Sequence, residues 1–148
     1  MMNIAWEMTH SVATEASQDF AWTYWTDVTN WDDPPARFEL DGPFAAGSRG
    51  TTHVPGQEPL RWLIREVDPR NGATIELQLD GAVLSFEWRL AAISRERTLL
   101  SQRVLLQGEN AATLRAQVEA SFAVTLPDGM KKLASAIGAA AARSKNPR

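Results

Sequence analysis

The chain has 148 residues, of which 44% are hydrophobic and 22% are charged, and its net charge is −3. It lacks cysteine, which excludes disulfides and thiolate metal sites, and its negative charge disfavours a nucleic-acid partner. No segment reaches the ~18 consecutive apolar residues of a membrane span. This length suits one domain with its own core, so we expect residues 1–148 to form a single domain. The lack of cysteine is compatible with a reducing cytoplasm, where we expect the protein to be located.

The N-terminal part predicts one strand followed by short helices. Residues 3–12 alternate between apolar and polar side chains, which is typical of a half-buried strand. Ser17 is a suitable helix N-cap, because its hydroxyl can accept a hydrogen bond from a free amide of the first turn. The apolar spacing from Ala21 to Val28 predicts a helix, which the two prolines at 34–35 cannot continue. We therefore expect two short helices between the first two strands.

The middle of the chain predicts six sequential antiparallel strands. Short apolar runs are separated by Asp-Gly, Pro-Gly and similar turn pairs at nearly regular spacing, which is the pattern of a meander. The predicted strands are Arg37–Leu40, Ser48–Val54, Leu60–Val67, Thr74–Leu79, Val83–Ile93 and Arg97–Gln107.

The last part of the chain predicts a long helix. From about Ala111 the apolar residues recur every three or four positions and share one face. Pro127 removes a backbone hydrogen bond, so we expect a kink or a second helix at that point. A seven-stranded antiparallel sheet twists and curls, and the space between its concave face and this helix becomes either packed core or cavity. The apolar face consists of Leu114, Val118, Phe122, Leu126, Met130, Leu133 and Ile137.

Five segments combine turn and packing residues in a recognisable order. They are Trp22-x-x-Trp25-Thr26-Asp27-Val28-Thr29-x-Trp31, Phe44-Ala45-x-Gly47-Ser48-x-Gly50-Thr51, Leu60-Arg61-Trp62-x-Ile64-x-Glu66-Val67-Asp68-Pro69, Phe86-Glu87-x-Arg89-Leu90 and Gln102-Arg103-Val104-x-Leu106-x-Gly108. With these segments the chain resembles, over essentially its whole length, the polyketide cyclase/dehydrase family of the START-like superfamily, which is also called SRPBCC or Bet v 1-like.

This resemblance implies an α+β helix-grip fold, in which a seven-stranded curved antiparallel sheet wraps around a long C-terminal helix. It also implies a hydrophobic cavity beneath that helix. Members of the superfamily bind lipids, sterols, polyketides, hormones or quinones, and a minority catalyse aromatisation, cyclisation or dehydration. The shared segments are turn and packing signals, so they are specific for the fold and only weakly informative about function.

Strand alternation indicates which side chains would face such a cavity. On the fourth strand it places Glu66 on the same face as Trp62, and Val67 on the opposite face. Ligand pockets are mostly apolar with a few polar groups, and the inner faces of the long strands fit that description. The same residues could instead pack against the helix, and the two large indoles of the set could fill the space. The candidate ligand-binding residues are Trp62, Ile64, Phe86, Trp88, Gln102, Val104, Met130, Leu133 and Ile137.

The candidates for catalysis are few. His10 on the inner face of the first strand could act as a general base, with Gln102 assisting, but a purely structural role for both is the simpler interpretation. His53 lies beside a turn and is expected to face solvent. Two histidines without cysteines make a metal site improbable, and no cofactor is expected. On the opposite, convex face, arginines and Glu87 could form a ladder of cross-strand ion pairs.

Three functions are compatible with these patterns. The first is a small binding protein, monomeric or homodimeric, whose partner is a hydrophobic or amphipathic small molecule such as a lipid, polyketide or isoprenoid. In this case Gln102 would orient a polar group, and the loops at Asp41–Gly47 and Val54–Pro59 would gate entry. The second is an enzyme of the cyclase, aromatase or dehydratase type that uses His10 or Gln102 in a dry pocket. The third is a protein-interaction module of the antitoxin or co-chaperone type.

Overall fold

The computed structural model describes residues 4–31 and 33–145. All seven predicted strands are present, each within two residues of its expected ends. The strands are β1 (Ile4–Thr14), β2 (Arg37–Asp41), β3 (Arg49–His53), β4 (Leu60–Asp68), β5 (Gly72–Leu79), β6 (Ala82–Ser94) and β7 (Arg97–Gln107). The helices are α1 (Gln18–Trp25), α2 (Ala111–Phe122) and α3 (Thr125–Lys145), with a 3-10 turn at Val28–Asn30.

The strands form one curved antiparallel sheet in the order β1-β7-β6-β5-β4-β3-β2. Consecutive strands from β2 to β7 are neighbours, as expected for a meander, and β1 completes the sheet beside β7. The helices lie on the concave face, so the helix-grip architecture predicted from the sequence is confirmed. None of the helices within the described ranges is long and apolar enough to span a bilayer.

Both short helical segments begin at a capping side chain, and the first of these caps is the one that the sequence predicts. The Ser17 hydroxyl accepts a hydrogen bond from the Phe20 amide at 3.1 Å and so caps α1. The Asp27 carboxylate accepts a hydrogen bond from the Thr29 amide at 3.1 Å and caps the 3-10 turn. Both contacts satisfy amides that have no partner inside the helix.

The strand register aligns the inner side chains of β1, β7 and β6 in rows that cross the sheet. Neighbouring side chains in such a row are about 5 Å apart, close enough to form one surface. Three successive rows are Trp6–Leu106–Leu84, Met8–Val104–Phe86 and His10–Gln102–Trp88.

The fourth strand corrects one detail of the expected alternation. Ile64 pairs with Ile75, and Glu66 pairs with Thr74, the neighbour of Ile75 on β5. Arg65 is therefore an extra residue in a β-bulge. Beyond the bulge the alternation reverses. Glu66 is therefore exposed, while Val67 packs against the inner core, which is the reverse of the prediction for these two residues.

The C-terminal helical segment is divided in two. The break falls at residues 123–124, and Pro127 lies in the first turn of α3. A proline is tolerated in the first turn because the amide that it lacks would have no partner inside the helix. In one continuous helix its ring would clash with the carbonyl of Ala123, four residues earlier, and this explains the break. The predicted apolar face is otherwise confirmed, and its residues are buried or half-buried against the sheet.

Helix α3 is fixed to the end of β1 by a buried hydrogen bond. The Thr14 hydroxyl donates to the carbonyl oxygen of Ala134 at 2.7 Å. One turn further along, Gly138 also lies next to the end of β1, where a Cβ would make an ordinary contact with Glu15 at 3.7 Å. At the end of α3, Lys145 pairs with Glu96 at 2.6 Å. This attachment sets how far the helix stands above the rest of the sheet.

The convex face carries the ion pairs expected from the sequence. Arg103 on β7 pairs with Glu7 on β1 and with Glu87 on β6, the latter at 3.3 Å. On the neighbouring strands Arg65 pairs with Glu76 at 2.7 Å. The hydrogen bonds and charges of these carboxylates raise the pKa of both guanidinium groups above the ordinary value. The arginine and glutamate charges of these central strands therefore lie on the side away from α3.

We predict that Thr14→Val lowers the free energy of unfolding by about 1 kcal/mol, because it removes one buried hydrogen bond without changing side-chain volume. Urea unfolding followed by tryptophan fluorescence measures the change. Ser11→Ala is the control, since the Ser11–Ser101 hydroxyl pair is exposed and its loss should cost little. Equal losses in the two variants would contradict the role given to Thr14.

Candidate functional site

The predicted ligand-binding residues converge on the interior between the sheet and α3. Those on the sheet occupy three adjacent rows of the concave face, and those on the helix project from the buried side of α3. Phe86, Trp88 and Leu133 contact both of the hydrophobic clusters that make up the interior. The sequence therefore identified residues that are close together in space, and their binding of a ligand remains a prediction.

Trp62 is held at one end of this interior by three contacts. Its ring lies against Gly50 on β3, where an added Cβ would come within 2.2 Å of the ring. Its indole N–H donates to the Thr52 hydroxyl at 3.1 Å. The Trp31 ring stacks on it with centroids 5.5 Å apart. Trp62 is 7% exposed and serves as part of a packed wall.

The wall continues through other aromatic rings that sequence reasoning assigned to packing or overlooked. Trp25 on α1 is 3% exposed, and its ring centroid lies 5.0 Å from that of Trp88. Phe44, from the β2–β3 loop, contacts Trp25 at 5.2 Å and Trp22 at 6.1 Å. Trp22 and Trp25 pack α1 against the sheet. The positions of the tryptophans in the sequence do not show which rings contact each other, because these contacts form only when the chain folds.

A second aromatic contact lies at the other end of the interior. Phe122, at the end of α2, packs against Trp6 of β1 and Phe86 of β6, with ring centroids 6.2 and 5.8 Å apart. These residues were expected to lie on apolar faces, but sequence reasoning did not place Trp6 and Phe122 among the ligand-binding candidates. Phe122 ends α2 at the helix break, so the break positions a ring over the sheet.

The middle of the interior contains both fully buried and half-buried side chains. Val104, Met130 and Ile137 are buried, at 2% exposure or less, like Ile64 on β4. Phe86, Trp88 and Leu133 are only half-buried. Strand β6 has neighbours on both sides, so the side chains of its inner face can be reached only from the space beneath the helices. Their residual exposure therefore indicates accessible space at the middle of the concave face.

Gln102 is the polar group of this middle region. It is 7% exposed and lies between Trp88 and His10 in one cross-strand row. Within the described ranges its side-chain amide has no hydrogen-bond partner, and its polar atoms are not sealed from the accessible space. An amide that makes no hydrogen bond to the described chain can bind a polar group that enters this space.

His10 is half-buried beside Gln102, so the structure brings together the two candidates for catalysis. His53 is on β3 at the far side of the sheet. Its ring is partly covered rather than freely exposed as expected, and its Nε2 lies 3.5 Å from Glu39. Among the described residues, no group of three or more His, Cys, Asp or Glu side chains is arranged to hold a metal ion.

Two hollows open at the surface, and neither is lined by the ligand-binding candidates. One, of about 560 Å³, lies between β1 and α3 and is lined by small residues around Ala134 and Gly138, with Lys131 and Glu15 at its margin. The other, of about 320 Å³, lies beside His53.

No protein-family model matches the chain, and no curated protein is similar to it in sequence. Solved structures share its fold. A point mutant of norcoclaurine synthase from Thalictrum flavum is 15% identical with a TM-score of 0.70, and the match covers 98% of each chain. The Zhui aromatase/cyclase from Streptomyces sp. R1128 is 20% identical with a TM-score of 0.63, over 97% of this chain and 95% of that one.

A di-domain aromatase/cyclase of the steffimycin biosynthetic pathway, StfQ, is 14% identical with a TM-score of 0.70. That match covers 95% of this chain and 52% of the di-domain protein. The chain therefore has the helix-grip fold that these solved structures share, as the resemblance implied. At these identities the likeness concerns the fold alone.

We predict that Gly50→Ala lowers the free energy of unfolding by about 1–3 kcal/mol, because the new methyl group must displace the Trp62 ring. Urea unfolding measures the loss. Combining it with Trp62→Leu should recover part of the loss, since the clash then disappears.

The control for this substitution is Gly129→Ala on α3, where a Cβ would meet no atom within 4 Å. There alanine should stabilise the helix by up to about 1 kcal/mol. A neutral Gly50→Ala variant would show that Trp62 is not held against β3 as described.

Proposed function

We propose that this protein is a small cytoplasmic binding protein, monomeric or homodimeric, for a mainly hydrophobic small molecule. The ligand occupies the space between the concave face of the sheet and α3. It contacts the half-buried Phe86, Trp88 and Leu133, and its polar group meets Gln102. The buried side chains of Trp62, Val104, Met130 and Ile137 surround the ligand.

The observation that carries this proposal is the combination of exposed aromatic surface with an unpaired amide at the same place. Filled protein interiors leave few gaps, and buried polar groups are nearly always hydrogen-bonded. At the middle of one sheet face, half-buried aromatic rings lie beside an amide that has no hydrogen-bond partner among the described residues. An apolar ligand with one polar group would satisfy both, which is the composition expected of a ligand pocket. The solved structures with this fold include norcoclaurine synthase in complex with dopamine and hydroxybenzaldehyde, so the fold can hold small aromatic molecules.

We predict that Leu133→Trp weakens binding of the neutral dye Nile red by at least about tenfold, because the larger side chain occupies the proposed space. Dye fluorescence measures the affinity. Val124→Trp is the matched control, since Val124 is 68% exposed at the helix break. The proposal would be overturned if Leu133→Trp bound the dye as well as the wild type.

An enzyme of the cyclase, aromatase or dehydratase type is the second candidate. The observation that favours it is the position of His10 beside Gln102 on the concave face. A histidine there could remove a proton from a bound carbonyl compound while the amide holds the oxygen. Two of the solved structures with this fold are named as aromatase/cyclases.

For this second candidate we expect the protein to convert a linear poly-β-ketone into an aromatic product, detected by its near-ultraviolet absorbance. His10→Ala should lower the rate by at least about 100-fold, as expected for loss of a general base, while Nile red still binds. His53→Ala, on the far side of the sheet, should leave the rate unchanged. Equal rates in the two variants, or no conversion by the wild type, would rule against the enzyme.

A further inference from the structure

We propose that the ligand of this interior is an uncharged ring compound with one carbonyl, amide or hydroxyl group, and that charged amphiphiles are excluded. This inference rests on the proposed binding function and narrows it to one chemical class. It follows from the distribution of charge in the described residues, from the hydrogen bonds of the buried polar groups and from the shape of the surface around Gln102.

Charge is confined to the outside of the molecule. The ion pairs of Arg103 and Arg65 lie on the convex face, and the pair of Arg97 with Glu15 is exposed. Among the residues that the structure describes, no buried side chain is that of Asp, Glu, Lys or Arg. The buried polar residues of this part of the chain are Thr14, Ser85, Thr98 and Gln102.

Of these four, Gln102 alone offers unused hydrogen-bonding groups to the interior. The Thr14 hydroxyl donates to Ala134 and the Thr98 hydroxyl donates to Ala16, at 2.7 and 2.8 Å. Ser85 pairs with Leu105 and Glu76, and so lies on the convex side. The Gln102 side chain is more than nine-tenths buried, projects into the interior and has no partner in the described chain.

A primary amide can donate to a carbonyl oxygen and accept from a hydroxyl or amide, but it carries no charge that could balance an ion. Moving a carboxylate or an ammonium group from water into such an interior is strongly unfavourable unless an opposite charge meets it. A neutral polar group of the same size loses far less solvation. The arrangement around Gln102 therefore selects against ions of either sign.

The surface next to Gln102 favours a ring. Phe86 and Trp88 are successive inner residues of β6, and both are half-buried. Trp88 is held by Trp25 and Phe86 by Phe122, with ring centroids 5.0 and 5.8 Å apart. Flat aromatic faces fixed in this way stack well on another ring. An aliphatic chain would fill such a surface less completely.

Three naphthalene derivatives of nearly equal size test this inference: 2-naphthamide, 2-naphthoate and the 2-naphthylmethylammonium ion. Titration calorimetry with the intact protein measures their affinities. We expect the amide to bind at least about 100-fold more tightly than either ion. If none of the three binds, and Nile red does not bind either, the proposed function fails. If Nile red binds but the naphthoate or the ammonium ion binds as tightly as the amide, this inference fails while the proposed function stands.

Two substitutions at one position sharpen the test. Gln102→Leu should weaken the binding of 2-naphthamide by about tenfold and leave the binding of Nile red intact, since only the polar contact is lost. Gln102→Glu should weaken the binding of the amide and strengthen the binding of the ammonium ion, because a carboxylate then occupies the same place. An unchanged order of affinities in both variants would show that Gln102 does not meet the polar group of the ligand.

His10 is the ionisable side chain nearest to Gln102 in the row, so it needs its own control. His10→Asn keeps a polar side chain there without an ionisable group. We expect the preference for the amide over the naphthoate to be retained in this variant. A preference that disappears with His10 would assign the selection to the imidazole and overturn the role given to Gln102.

Discussion

The antiparallel register that joins β1, β7 and β6 is the constraint on which the rest of the structure depends. It sets His10, Gln102 and Trp88 side by side on the concave face. A slip of one residue would turn this row outward and carry Arg103 into the interior, away from its two glutamates. The ion pairs on the convex face and the apolar rows on the concave face therefore favour the same register from opposite sides of the sheet.

Aromatic rings then pack at both ends of the interior. At one end Trp62 fills the space above Gly50 and is covered by Trp31, and at the other Phe122 closes over Trp6. The attachment of α3 to β1 through Thr14 holds the helix along one edge of the sheet. The middle is left with half-buried rings and an amide without a partner, a combination that suits a neutral ring-shaped ligand.

Much of this was predictable from the sequence, because turn pairs and period-two alternation are local signals. They locate the strands and identify Gln102 as a polar residue on an apolar face. The bulge at Arg65 was not predictable, since one extra residue in a strand leaves no mark in the pattern until its partner strand is known. Whether the Gln102 amide finds a hydrogen-bond partner likewise depends on the positions of His10 and the helices in the folded chain, which the sequence pattern does not give.

The side-chain amide resonances of Gln102 in a ¹⁵N-labelled sample test the central claim most directly. They can be assigned by their loss in Gln102→Leu. Titration with 2-naphthamide should shift them and produce NOEs from the probe to the rings of Phe86 and Trp88. The account would be contradicted if the Gln102 resonances stayed fixed while NOEs placed the probe in the surface hollow between β1 and α3, beside Gly138.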